Sequence, residues 1–286
     1  MTRRPMSVLT AASARLAEAG AASPMTDARL LLMHAGGLSA TQLLTAVAID
    51  DLVAARFDEL IAQRATGVPV QHLTGETWFR NVRLAVGPGV FIPRPETELV
   101  AGAAIDEVRK QQPGSLVVEL CAGSGAISAA VCDEAPGARV IAVEKDAQAA
   151  QWLRRNLAAT SAEVVEADMA AALPDRDAQA AVVVANPPYI PWSQRDGLPV
   201  EVREHDPEAA LFAEDDGLGA IRVVIAVAHR LLRPGGLVVI EHGDDQGPAV
   251  LDELARAGFG DQAGHLDLSG RPRFVTGRRV SGWDGE

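Results

Sequence analysis

The stretch Ser115-Leu116-Val117-Val118-Glu119-Leu120-Cys121-Ala122-Gly123-Ser124-Gly125 decides the fold. Residues 115–120 form an apolar run of strand length, and the glycines behind it let the chain turn sharply into a helix-like segment at 125–134. The same pattern then repeats. Strand-like runs at 139–144, 162–167, 180–185 and 236–241 alternate with helix-like segments at 147–158 and 219–232. Arg233-Pro234-Gly235-Gly236 reads as a tight stop before the fifth strand. A helix at 252–257 and a strand pair at 264–268 and 273–276 close the chain. Strands alternating with helices predict an α/β fold with an open, mostly parallel, Rossmann-like sheet covered on both faces. Such sheets bind ligands outside the carboxyl ends of their strands.

Upstream the pattern is different. Segments 7–20, 27–35, 39–48 and 50–64 carry apolar residues at helical spacing, with Ser23-Pro24 placed as an N-cap followed by Pro at the first helical position. They predict a small helical bundle and hold no cluster of chemically active residues. Short strand-like pieces at 76–79 and 82–86, set among Thr74-Gly75 and Gly87-Pro88-Gly89, predict a β-hairpin. Phe91-Ile92-Pro93-Arg94-Pro95-Glu96-Thr97-Glu98 follows, and Glu96 or Thr97 is expected to cap the helix behind it. The chain therefore divides into a helical domain (1–73), a hairpin linker (74–92) and the α/β domain (93–286).

At 286 residues and 48% hydrophobic content the chain can bury a sizeable core. No stretch approaches the ~18 apolar residues of a membrane span, so no membrane partner is expected. The basic start Met1-Thr2-Arg3-Arg4-Pro5 has no long apolar run behind it, so no signal peptide is expected. Cys121 and Cys132 are the two cysteines and lack metal-type spacing; the expectation is a reducing cytoplasm and no metal. The net charge of −12 opposes binding to a phosphate backbone.

The candidate chemistry lies at consecutive strand ends. After the first strand, Cys121, Ala122, Gly123, Ser124 and Gly125 let backbone N–H groups approach a polar or anionic ligand as a helix begins; a plain tight turn explains the glycines equally well. Glu144 ends the second strand nineteen residues beyond Gly125, where a carboxylate can accept from both ribose hydroxyls of a nucleoside cofactor. These two features fit NAD and S-adenosylmethionine alike. Asp168 and Met169 end the third strand, offering an acceptor for an adenine amino group and a face for its ring. Asn186-Pro187-Pro188-Tyr189 ends the fourth. In isolation the two prolines would mark only a rigid turn. Beside the other strand ends they offer a grip on a planar nitrogen: the Asn186 side-chain oxygen and the Pro187 carbonyl as acceptors, Tyr189 as a flat wall. Hydride transfer has no use for this element, whereas methyl transfer to an amide or aryl-amine nitrogen has.

Asn186-Pro187-Pro188-Tyr189 resembles the signature of amino-methyltransferases, shared by adenine-N6 nucleic-acid enzymes and glutamine-N5 protein enzymes. The rest of the chain is similar to the second group, the HemK/PrmC family. The matching pieces are Pro69-Val70-Gln71-His72-Leu73-Thr74-Gly75, the 91–98 segment, the Gly123/Gly125 loop, 186–190 and Asp216-Gly217-Leu218. They continue through Glu241-His242-Gly243 with Gln246 to Asp267-Leu268-Ser269-Gly270-Arg271-Pro272-Arg273. The resemblance implies a seven-stranded S-adenosyl-L-methionine-dependent methyltransferase domain, with S-adenosyl-L-homocysteine as product. It also implies an N-terminal domain that helps to hold the protein substrate. That substrate is a class 1 peptide-chain release factor, methylated on the glutamine of its Gly-Gly-Gln motif by a monomeric enzyme that needs no direct nucleic-acid contact. Carried over by position, cofactor contacts fall on Glu119, 121–125, Glu144, Asp168 or Met169, and Asn186. The substrate glutamine falls on 186–189, with Asn186 and Pro187 catalytic. Cys121 stands where Gly is usual, and Glu119 and Glu144 where Asp is usual, which implies altered fit with binding retained.

Two other readings compete. A nucleic-acid adenine methyltransferase needs a basic face or a target-recognition insert; the net charge of −12 and the lack of an insert after the fourth strand count against it. An inactive nucleotide-binding scaffold would leave the fourth strand end without purpose. The six histidines show no zinc or triad spacing and read as structural, and Cys132 as core.

Overall fold

The computed structural model describes residues 4–282. The chain forms two compact units, one of Met1–Glu76 with Pro199–His205, the other of Thr77–Leu198 with Asp206–Glu286. The first contains α1 (Pro5–Glu18), α2 (Pro24–Gly36), α3 (Ala40–Thr45), α4 (Asp51–Ala65) and α5 (Val70–Thr74). Prolines open α1 and α2, where the missing N–H costs no hydrogen bond. Ser39 and Gln42 cap α3 reciprocally, and Asp50 caps α4 by accepting the Val53 N–H at 2.8 Å. Leu9, Leu16, Leu31, Leu32, Phe57 and Ile61 meet in the centre, all buried. Each contributes about 1.5–3 kcal/mol of burial energy. Arg64 crosses this unit, pairing with Asp27 at 2.8 Å and with Glu201 at 2.7 Å. The helix expected at 39–48 stops at Thr45, and a fifth short helix, unforeseen, follows Pro69.

At the start of the second unit β1 (Glu76–Phe79) and β2 (Val82–Ala85) pair as the expected hairpin. Then come α6 (Thr97–Arg109), β3 (Leu116–Leu120), α7 (Ala126–Glu134), β4 (Arg139–Glu144), α8 (Ala147–Leu157), β5 (Glu163–Glu166), β6 (Ala180–Ala185) and β7 (Ile190–Pro191). After α9 (Val200–His205), which belongs to the first unit, follow α10 (Glu208–Leu211), β8 (Phe212–Ala213), α11 (Gly219–Leu231), β9 (Leu232–Glu241), α12 (Gly247–Arg256), β10 (Phe259–Leu266) and β11 (Pro272–Arg279).

Seven of these strands form one sheet in the order β10-β11-β9-β6-β3-β4-β5. β9, β6, β3, β4 and β5 run parallel, β11 runs antiparallel to β9, and β10 pairs antiparallel with β11 and so runs in the direction of the other five. Period-two alternation assigns each strand residue to one of two cores. Val117, Val140, Ala142, Val184 and Val239 face α6, α7 and α8. Val118, Ile141, Val143, Val183 and Ile240 face α11 and α12. Strands buried on both sides are mostly apolar, which is why β6 is apolar throughout and β3 and β4 depart from that only at Glu119 and at the end residues Arg139 and Glu144. From β3 the chain proceeds outward to β4 and β5, then returns to place β6 on the other side of β3. The crevice over that reversal lies at the carboxyl ends of β3, β4, β5 and β6.

Three differences from expectation have local causes. Arg233-Pro234-Gly235-Gly236 does not precede β9 but bulges from it, since Ala180 pairs with Leu232 while Val182 pairs with Leu237. β10 carries glycines and polar residues because it is an edge strand with much of its length exposed, so its beginning at Phe259 leaves little trace in the sequence. β7 and β8 form a two-residue parallel sheet just past Tyr189 that no local pattern announces.

Candidate active site

The turn after β3 shows how the first strand end is built. Cys121 adopts a left-handed backbone (φ 57°), the conformation glycine takes most easily. Its thiol lies 3.6 Å from the Met169 sulfur, and burial pushes it up to about 12, so it stays neutral. Gly125, at φ 81°, caps the start of α7; this left-handed backbone favours glycine, and a Cβ there would stand 2.5 Å from Leu153 Cδ1 and force that side chain to shift. Asn156 of α8 holds this loop to the hairpin, donating to Ser124 O at 2.9 Å and to Ala85 O at 3.0 Å.

Glu119 is buried beneath the loop. One of its oxygens accepts from the Ser128 N–H at 2.8 Å and from the Ser128 hydroxyl. Burial nevertheless raises its carboxyl to about 7, the Ser128 bonds offsetting only part of the desolvation. A carboxyl whose folded value is raised favours the folded state most when protonated. That contribution is lost as pH rises from about 4.5 through 7. Glu119→Gln removes the ionisation at constant size. Wild-type unfolding free energy should fall by about 3 kcal/mol more than that of the variant between pH 5 and 8. Denaturant melts of the two proteins across that range check this, and parallel curves would refute it.

Glu144, at the end of β4, is pinned by backbone. It accepts the Gly123 N–H at 2.8 Å with one oxygen and the Asp146 N–H at 2.8 Å with the other. A carboxylate has about four lone-pair sites, so roughly two remain for a ligand diol. Asp168 spends one oxygen on the Ala170 N–H at 2.9 Å and keeps the other. Glu119, 121–124, Glu144, Asp168, Met169, Asn186, Pro188 and Tyr189 all line one cavity, of about 1230 Å³ including its open mouth. Gly125 and Pro187, both expected in the site, do not line it. Gly125 serves the turn, and Pro187 is buried.

Asn186-Pro187-Pro188-Tyr189 is held from behind. Gln246 donates to Tyr189 O at 2.9 Å and accepts the Gly243 N–H at 2.8 Å. Gly217, at φ 86°, lies directly under the Tyr189 carbonyl, where an added Cβ would come within 2.2 Å of the oxygen. Asn186 Nδ2 meets Thr97 Oγ1 at 3.2 Å, Thr97 donates to Glu241 Oε2 at 2.7 Å, and the Tyr189 hydroxyl faces Glu241 Oε1 at 3.5 Å. Neither Glu96 nor Thr97 caps α6 with its side chain, contrary to expectation; Thr97 turns inward to this chain of bonds instead. Arg273 stands near Glu241 and Tyr189 and binds Asp244 at 2.6 Å and Asp267 at 3.3 Å.

Sequence reasoning did not find Phe91, Pro93, Thr97, Lys145 or Leu211 in the wall. The 91–98 segment was conspicuous, but which of its residues face the cavity follows from how α6 docks on the sheet. Among the described residues no group of three or more His, Cys, Asp or Glu is arranged to hold a metal ion. No described helix is long and apolar enough to cross a membrane.

Comparison with known proteins places this site in context. Residues 7–75 match the family described as the PrmC N-terminal domain, and residues 73–197 match the family described as conserved hypothetical protein 95. A release factor glutamine methyltransferase of Streptomyces coelicolor is 46% identical over 273 residues, 94% of this chain and 96% of the relative. Its counterpart in Mycolicibacterium smegmatis is 43% identical, covering 97% of this chain and 99% of the relative. A 4-amino-L-phenylalanine/4-methylamino-L-phenylalanine methyltransferase of Streptomyces pristinaespiralis is 39% identical, covering 83% of this chain and 82% of the relative. Among solved structures, a T. thermophilus 16S rRNA N2 G1207 methyltransferase in complex with AdoMet and guanosine shares the fold. Its TM-score is 0.51 at 20% identity, over 71% of this chain and 49% of that one.

Proposed function

This chain belongs to the release factor glutamine methyltransferase family, and we propose that it methylates the side-chain amide nitrogen (N5) of the glutamine in the Gly-Gly-Gln motif of class 1 peptide-chain release factors, tuning translation termination. It is an S-adenosylmethionine-dependent enzyme. The observation that carries the reading is convergence: a carboxylate with free lone pairs, Glu144, and an acceptor group at 186–189 open on one cavity.

The residues fit the cofactor. Glu144 would accept from the ribose hydroxyls, Asp168 from the adenine amino group with Met169 against the ring, and 121–124 with Glu119 would hold the amino-acid end. Held there, S-adenosylmethionine would supply an electrophilic methyl on a sulfonium, with S-adenosylhomocysteine as the product. An amide nitrogen is a poor nucleophile because its lone pair is delocalised. Asn186 Oδ1, the acceptor of this strand end that reaches the cavity, holds its N–H group, turns the lone pair toward the methyl and accepts the positive charge that develops on nitrogen, while the Pro187 carbonyl, expected to share this role, does not line the cavity. Tyr189 and Pro188 bound the amide plane. No base is needed before transfer, since the proton leaves after nitrogen is alkylated. The helical domain (1–73) helps to hold the release factor, the hairpin (74–92) joins it to the methyltransferase domain (93–286), and the enzyme works as a cytoplasmic monomer without metal or nucleic acid.

The Streptomyces pristinaespiralis relative favours a second acceptor, an aryl amine, whose nitrogen is also planar and conjugated. A competition separates the two. The chain is given labelled S-adenosylmethionine with a release factor, 4-aminophenylalanine and duplex DNA together. Label is expected on the release factor alone; label on the amino acid or on DNA with none on the release factor overturns the assignment.

A further inference from the structure

We propose that Thr97 and Glu241 are positioning residues for methyl transfer: their hydrogen bonds determine which end of the Asn186 carboxamide faces the acceptor. The inference rests on the function proposed above. A carboxamide is nearly symmetric in shape, and only its partners distinguish the oxygen from the NH2 group. Here the distinction passes along one chain of bonds. Glu241 is buried, and its ionised carboxylate can only accept. Thr97 Oγ1, 2.7 Å away, must spend its single proton on Glu241 Oε2. Its lone pairs then face Asn186 at 3.2 Å, where only the Nδ2 end can meet them. Asn186 Oδ1 is left for the cavity that Asn186 lines, as an acceptor for the substrate N–H groups.

The charged and titratable groups around Glu241 come from several elements. Glu96 stands beside Thr97 at the start of α6, Tyr189 follows β6, and Arg273 lies on β11. Burial raises the Glu241 carboxyl to about 7; Thr97 and Arg273 oppose the rise, and Glu96 adds to it. Once protonated, Glu241 can donate to Thr97. The Thr97 proton is then free to point at Asn186 and favours Oδ1 turned away from the cavity. The catalytic orientation thus belongs to the ionised form and is lost as pH falls through about 7.

The test uses Thr97→Val, Thr97→Ser and Glu241→Gln in the full chain. Thr97→Val keeps the shape and removes the hydroxyl; kcat is expected to fall by about 10- to 100-fold, as for a misaligned reacting group. The dissociation constant for S-adenosylmethionine stays within about threefold, and Thr97→Ser restores the rate. Wild-type kcat shows an acid limb near pH 7 that Glu241→Gln lacks. A second measurement needs no substrate. The Asn186 side-chain amide signal in nitrogen-edited NMR, identified by its loss in Asn186→Ala, titrates near pH 7 in wild type and not in Glu241→Gln. Equal rates for wild type and Thr97→Val overturn the relay, as do Val and Ser variants equally impaired. An amide signal that titrates identically with and without Glu241 does the same. A wild type inactive on release factor, with the amide titration intact, overturns the substrate assignment and leaves the relay standing.

Discussion

Asn186→Ala is expected to lower kcat for release-factor methylation by about 10²- to 10³-fold, the range seen when one preorganised polar group is removed from developing charge. The effect is large because the acceptor nitrogen has no lone pair to offer until it is turned. With Ala at this position nothing at the end of β6 accepts the substrate N–H, and the amide relaxes to its conjugated plane. Thr97 also loses the bond from Nδ2, so a buried hydroxyl keeps only its link to Glu241. Cofactor affinity should change by less than about tenfold, since one neutral hydrogen bond is worth about 1 kcal/mol. Single-turnover kinetics with saturating cofactor separates the two terms. A variant that kept its chemical rate and lost only cofactor binding would show Asn186 to be a binding residue and no more.

The second large effect is expected at Glu144. On the proposed function, replacing it with Ala would remove two charge-assisted bonds to the ribose, each worth about 1.5–3 kcal/mol. It also frees the Gly123 and Asp146 N–H groups that the carboxylate now holds at 2.8 Å. The dissociation constant for S-adenosylmethionine should therefore rise by about 10²-fold or more. Calorimetric titration measures it directly. Glu144→Gln keeps one acceptor oxygen and should lie between wild type and Ala. An unchanged affinity in Glu144→Ala would mean that the diol is held elsewhere and that Glu144 is only a brace for the glycine turn.

How much of this was legible in the sequence depends on the range of each interaction. β3, β4 and β6 are buried on both faces, so their apolar runs announced themselves. The residues that end them, Cys121, Glu144 and Asn186, then fell on one sheet edge by topology alone. Gly125 was visible as a glycine but misplaced in role: its left-handed backbone and the closeness of Leu153, on a different helix, favour glycine there. The support behind Asn186 was not legible. Thr97 and Glu241 are 144 residues apart, and Gln246 reaches back 57 residues to Tyr189. Each stood inside a conspicuous motif, yet no local rule says that three motifs meet at one carboxamide. Thr97 was misread for the same reason, because a threonine at a helix start looks like a cap until its actual partner is known. Residues 199–205, which follow β6 and β7 but join the helical unit, likewise carry no local mark of where they pack.

On the proposed function, Asn186-Pro187-Pro188-Tyr189 presents a protein glutamine to the methyl donor. The most direct test is fragmentation mass spectrometry of the Gly-Gly-Gln peptide, after a release factor is incubated with the chain and S-adenosylmethionine. One added methyl on the glutamine side-chain nitrogen is expected, absent with Asn186→Ala. An unmodified glutamine under conditions where the chain binds its cofactor and methylates another acceptor would contradict it.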